Sequence, residues 1–258
     1  MSVRLQKADF WKRISAYLFD ILIIFIISVA AMLVCLSAFK FDSHLTALEE
    51  KRAEYELEYG IDLDITKEEF DNLSDADKQA YNEKHADLNA ALSKDEDVKN
   101  IYGNIITVAI SSISLGLLIA NLIVYFAIPV LLKNGQTLGK KCFGLAVIRT
   151  SSVKISTPVL FARAFVGQYA IETMFPAFLF GATLLGLLGS LGLIVLGLFA
   201  ALEIGVIIAS PTNSAIHDLL SDTVVVDLAS QEIFESYDTL VEYEKAEAAK
   251  KANEANYV

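Results

Sequence analysis

Three stretches of the chain are nearly free of charge. Residues 14–39, 101–132 and 158–209 carry only Asp20, Arg163, Glu172 and Glu203 between them. A helix crosses the roughly 30 Å hydrocarbon core of a bilayer with about 20 residues, so each of the first two stretches predicts one transmembrane helix. The third is long enough for two, placed at 159–179 and 184–208 with Pro176 and Gly181 as the breakers between them, although Arg163, Gln168 and Glu172 leave the first of the two open to a re-entrant or tilted course. The pattern predicts an all-α membrane protein with four transmembrane helices.

The polar segments between these stretches set the orientation. Residues 1–39 are the N-terminal segment and first span, opened by Arg4, Lys7, Lys12 and Arg13 against Asp9. The loop 133–157 carries Lys133, Lys140, Lys141, Arg149 and Lys154 and no acid. Short basic segments belong on the cytoplasmic side, so both termini are expected there. Residues 40–100 hold eight Lys and Arg against eighteen Asp and Glu and read as an acidic helical extracytoplasmic insertion. In it "LTALEEKRAEYELEY" is rich in helix formers and stops at Gly60, while Thr66 with Glu69 and Ser74 with Asp77 look like capping boxes opening two further helices. Residues 101–132 are the second span and 158–209 the third and fourth. The cytoplasmic tail 210–258 reads as a frayed helix or a disordered segment.

Composition agrees with this division. At 258 residues, 54% hydrophobic and with a mean hydropathy of +0.47, the chain is too apolar for an ordinary soluble domain. The first apolar run exceeds the roughly 7–15 residues of a cleavable signal core, so it reads as an uncleaved anchor. Cys35 and Cys142 fall on opposite sides of the first span, and no disulfide is expected.

The charged residues inside spans are the first functional candidates, because a lone charge in hydrocarbon is expensive. Arg13 and Asp20 lie seven residues apart, within about 20° of one helix face but about 10.5 Å apart along the axis, so each should meet a partner on another helix. Arg163 and Glu203 fall at a similar depth from the cytoplasmic side. The expected arrangement is a balanced cluster of Arg13 and Arg163 with Asp20 and Glu203. Glu172 is nine residues beyond Arg163 and half a turn out of phase on a straight helix. It could serve an ion or proton relay with Asp20 and Glu203, or hydrogen-bond structurally to Gln168. Stripes of small residues, Ser112, Gly116 and Ala120, then Gly197, Ala201 and Gly205, suit internal helix packing or homodimerisation, and Asn121 could bridge helices.

Two apparent motifs fail. "DLDITKEEFDNL" has Lys67 and Leu73 where a calcium loop needs Gly and a bidentate Glu. "NGQTLGKKCFGLAVIRT" has one residue too few between its glycines for a phosphate loop, and Lys141 where Ser or Thr would hold magnesium. It reads instead as an interfacial turn and short helix with its lysines at lipid phosphates. The segments "FGLAVIRT" and "SSVKIS" read as a short cytoplasmic β-hairpin, which "TVVV" could join. His217 and Asp218 are neighbours whose side chains should point apart on a helix. No enzyme activity, cofactor, metal or nucleic-acid partner is expected.

Taken in order, "RISAYLFD", "NGQTLGKKCFGLAVI" and "IHDLLSDTVVV" resemble the RDD family of prokaryotic membrane proteins, named for an arginine and two aspartates. On that resemblance Arg13 and Asp20 match the arginine and first aspartate. Asp218, after His217, matches the second, and Gly135, Thr137, Gly139 and Lys140 match the turn after the second span. Arg163 matches an arginine frequent at the start of the third span. The 40–100 insertion is much longer than the usual loop, and "SD" replaces small residues before "TVVV". The resemblance implies a multi-pass protein of the prokaryotic cytoplasmic membrane. Some family members are described as cation/proton antiporters. Two functions stay open: a small transporter exchanging monovalent cations for protons, or a non-enzymatic scaffold or accessory subunit. The scaffold would recruit membrane or extracytoplasmic proteins through its outer cap and acidic tail. In either case the bilayer is a partner and a homo-oligomer is compatible.

Overall fold

A computed structural model describes residues 5–132 and 134–255; Arg4 and Lys133, counted in the charge reading above, lie outside the described residues. The chain forms two compact units, one of residues 30–115 and one of the remainder. Its elements are, in order, α1 (Phe10–Ala38), α2 (Phe41–Tyr59), α3 (Lys67–Asp71), α4 (Asp75–Leu92) and α5 (Glu96–Leu132). Then come α6 (Leu138–Cys142), β1 (Leu145–Arg149) and α7, which joins Thr157–Ala162, Arg163–Met174 and Phe175–Leu184 end to end. The chain closes with α8 (Gly189–Ala209), α9 (Ile216–Leu220), β2 (Thr223–Asp227) and α10 (Tyr237–Ala255).

Among the described residues three helices, α1, α5 and α8, are long and apolar enough to cross a membrane. Their outer faces carry large apolar side chains in the open, Phe25 and Leu198 each 65% exposed. Such continuous apolar surface suits hydrocarbon rather than water. Helix α7 is different in kind. Its central Arg163–Met174 segment is π-helical, the wider i→i+5 winding that recurs at functional sites, and this segment carries Arg163, Gln168 and Glu172. The break between α7 and α8 does not fall at Pro176 and Gly181, which both lie within helix. It falls at Gly186 (φ 74°) and Gly189 (φ 53°), because the reversal needs left-handed backbone that glycine adopts without steric cost.

The small sheet explains the two short apolar runs outside the spans. β1 and β2 pair antiparallel, Leu145 opposite Asp227 and Arg149 opposite Thr223. Both faces are covered. Leu145, Val147 and Val225 pack with Ala8 and Ala16, while Ala146, Ile148, Val224 and Val226 pack with Leu5 and Ile233. A two-stranded ribbon is marginal alone, and here burial on both sides holds it. The expected hairpin with "SSVKIS" shrinks to one bridge, Ile148 with Lys154; the true partner arrives from beyond the last span. Gly135 makes the entry turn at φ 62°, where a Cβ would lie 2.9 Å from the Val147 carbonyl oxygen.

In the other unit, local capping sets the helix bounds. Gly60 ends α2 at φ 60°, Thr66 and Glu69 form a reciprocal capping box, and Ser74 accepts from the Asp77 N–H. Buried apolar side chains are few, Leu88 and Val98 foremost. The tail is helical over α10.

The two small-residue stripes part company. Ser112, Gly116 and Ala120 are buried. Gly197, Ala201 and Gly205 are exposed, and a Cβ at Gly197 or Gly205 would meet nothing within 4 Å, so internal packing does not account for the second stripe.

Candidate functional site

Asp20 is fully buried, and its partners are not arginines. The Thr137 hydroxyl donates to Oδ2, the Gly139 N–H donates to Oδ1 at 2.8 Å, and Lys140 Nζ stands 3.9 Å from Oδ2. Thr137 is at the same time the N-cap of α6, accepting from the Lys140 N–H at 3.2 Å. A carboxylate here meets one orphan helix N–H, that of Gly139, and the hydroxyl that caps the next. The approach is close enough that only glycine fits: a Cβ on Gly139 would lie 2.2 Å from the Ala16 carbonyl oxygen.

The arginines converge instead on Asp218, which is also fully buried. Arg163 Nη2 donates to Oδ1 at 2.6 Å, Arg13 Nη2 donates to Oδ2 at 3.3 Å, and the Ala215 N–H donates to Oδ2 at 3.2 Å. Arg13 Nη1 also donates to the Thr212 carbonyl at 3.1 Å. Burial alone would push the Asp218 carboxyl up; Arg163, His217 and Arg13 together outweigh it and hold it well below the usual carboxylate range. The expected cluster of Arg13 and Arg163 with Asp20 and Glu203 is therefore corrected. The arginines share Asp218, Asp20 belongs to the Thr137–Lys140 turn, and Glu203 has no arginine partner among the described residues.

Glu172 does not point away. Its carboxylate takes the His217 backbone N–H at 3.0 Å and lies 2.6 Å from His217 Nδ1, in place of the expected bond with Gln168. The reason is the winding of α7: in a π-helix nine residues complete about two full turns, which brings Glu172 back onto the face of Arg163. Both then reach α9. His217 and Asp218 do not point apart as adjacent helical residues should; His217 Nε2 lies 3.5 Å from Asp218 Oδ1. Gly167 lets α9 sit this close, since a Cβ there would fall 2.5 Å from His217 Cβ.

Lys140 is not at a lipid phosphate either. It turns inward, with its ammonium 5.9 Å from the centre of the Tyr125 ring. Burial pushes it down to about 8, Arg163 adding to that against the pull of Asp20 and Asp218. Asn121 Oδ1 meets the Thr173 hydroxyl at a long 3.5 Å.

An open cleft of about 210 Å³ lies beside this lattice, lined by Arg13, Tyr17, Lys140, Gln168, Glu172, Glu203 and His217 among apolar residues of α1, α8 and α9. Glu203 Oε1 and Gln168 Oε1 are enclosed and meet no hydrogen-bond partner among the described residues. Of the family-motif positions, Arg13, Asp20, Thr137, Gly139, Lys140 and Asp218 come together here, while Gly135 serves the turn before α6. Gly167 had no sequence signal as a site residue, and Gln168 was expected only as a structural partner of Glu172. Thr137 had one, since a threonine three residues before Lys140 can cap the turn.

Buried arginines and aspartates joined among apolar helices define a helical membrane protein with an internal polar lattice. The RDD family model matches residues 7–222, and the chain belongs to that family. No curated protein and no solved structure matches it.

Proposed function

We propose that the chain is a small transporter that exchanges monovalent cations for protons across a prokaryotic cytoplasmic membrane. The observation that carries this reading is the open cleft in which Glu203, beside the Glu172–His217 pair, has an enclosed oxygen with no hydrogen-bond partner among the described residues. A carboxylate with no partner in an apolar span is relieved by a proton or by a cation, which is what exchange requires. Asp20 leaves the relay set, because its two oxygens already serve the α6 turn.

In this reading α7 is the third of four spans, its charges turned to the interior, and both termini face the cytoplasm with the basic loop. Residues 40–100 then stand outside. The exposed Gly197–Ala201–Gly205 face of α8 suits a second copy of the chain. No enzyme chemistry is assigned.

The test is proton flux in proteoliposomes driven by added sodium, lithium or potassium. Wild type should exceed empty liposomes, and Glu203→Gln and Glu172→Gln should fall to baseline while remaining folded. Wild-type protein that moves no protons under any of these ions overturns the reading. One observation favours a scaffold instead: the two motif aspartates, Asp20 and Asp218, are fully consumed by structural bonds. A scaffold would show no flux and would lose co-purifying proteins on deletion of 42–98.

A further inference from the structure

We propose that Gln168 Oε1 and Glu203 Oε1 form the cation seat of the cleft, and that it takes a small, hard monovalent cation such as sodium or lithium. The assignment names the binding step of the exchange proposed above and rests on that reading for its role.

Two enclosed oxygens argue for the seat. Gln168 is 4% exposed, and its Oε1, like Glu203 Oε1, is out of solvent without a donor among the described residues. A buried acceptor left unpaired is costly and calls for an explanation, an ion included. Both residues line the same cleft, from α7 and α8. A carboxylate and a neutral amide oxygen are hard ligands suited to a hard cation, and with Glu203 ionised neither oxygen can donate to the other.

Charge decides the valence. Gln168 is neutral and ionised Glu203 carries one negative charge, so one monovalent cation neutralises the pair and one proton on Glu203 does the same. The groups facing Glu203 are Tyr17 of α1 and Glu172 of α7, with Arg13, Lys140 and His217 on the remaining walls of the cleft. A divalent ion would leave the site overcharged. The exchange is therefore one cation for one proton.

The experiment is thermal unfolding of the purified full chain in detergent micelles, titrated with sodium chloride against choline chloride at constant ionic strength. Wild type should show saturable stabilisation by sodium that weakens as pH falls. Gln168→Leu should bind sodium at least tenfold more weakly, Gln168→Glu should restore binding, and Glu203→Gln should abolish both the sodium effect and its pH dependence. Exposed Glu235→Gln is the control and should match wild type. Should Gln168→Leu fail to fold, the Gln168→Glu and Glu203→Gln titrations still decide the matter. No sodium effect in wild type, an unchanged affinity in Gln168→Leu or Glu203→Gln, or calcium outcompeting sodium overturns the seat. Saturable binding at these residues with no flux in liposomes upholds the seat and refutes transport. Flux with unaltered sodium dependence in both variants does the reverse.

Discussion

Arg163 donates to the Asp218 carboxylate at 2.6 Å, with the two side chains 2% and 0% exposed. This bond ties the start of the π-helical segment to the short helix that follows the last span. It also positions the neighbouring His217 against Glu172.

Removing one partner of such a pair leaves the other charge buried alone, which costs about 3–5 kcal/mol. Asp218→Asn, which strands two arginines, should therefore lower the yield of folded protein and the unfolding temperature more than Arg163→Gln. The double variant should be much less damaging than the sum of the two. Size-exclusion chromatography and thermal unfolding of detergent-purified protein measure this; additive losses would count against the pairing. The same bond makes stability acid-sensitive. With its folded value depressed, Asp218 contributes fully above the ordinary aspartate value, and that contribution is lost as pH falls below it.

Asp20 and Gly139 should behave as fold residues rather than transport residues. Gly139→Ala forces a methyl to 2.2 Å from the Ala16 carbonyl, and overpacking of this kind costs roughly 1–3 kcal/mol. Asp20→Asn weakens the contacts with Thr137 and Lys140 and should also lower stability, whereas Gly197→Ala, with open space around it, should be neutral. Unfolding temperatures of the three variants rank them, and a harmless Gly139→Ala would contradict the close approach.

Lys140 supplies a second pH signature of the same direction, at alkaline pH. Its folded value, about 8, is below its ordinary 10.5, so between these values the unfolded chain holds a proton that the folded chain has released. Stability then rises with pH across that window, by roughly 3 kcal/mol at most for a group shifted this far. Lys140→Met should flatten the difference profile there. An identical profile in the variant would show that the ammonium is solvated.

Much of the architecture is local and therefore legible. Gly60, Thr66 with Glu69, and Ser74 mark helix ends through bonds that reach at most a few residues. Nearly charge-free runs mark α1, α5 and α8, because an unpaired charge in hydrocarbon is expensive. The partners of the charged residues are not local. Asp20 and Thr137 are 117 positions apart, and Arg163 and Asp218 are 55 apart. Depth along a span says which charges lie level, but several carboxylates then compete for each arginine.

From the amino-acid order alone followed the apolar spans, the capped helices of the insertion, the motif residues and the family. Only the tertiary structure assigned partners to the charges. That choice depends on backbone approach at Gly139 and Gly167, where a single methyl group would keep the helices apart. It also depends on the slower winding of the π-helical stretch, which turns Glu172 through half a turn from where an α-helix would point it.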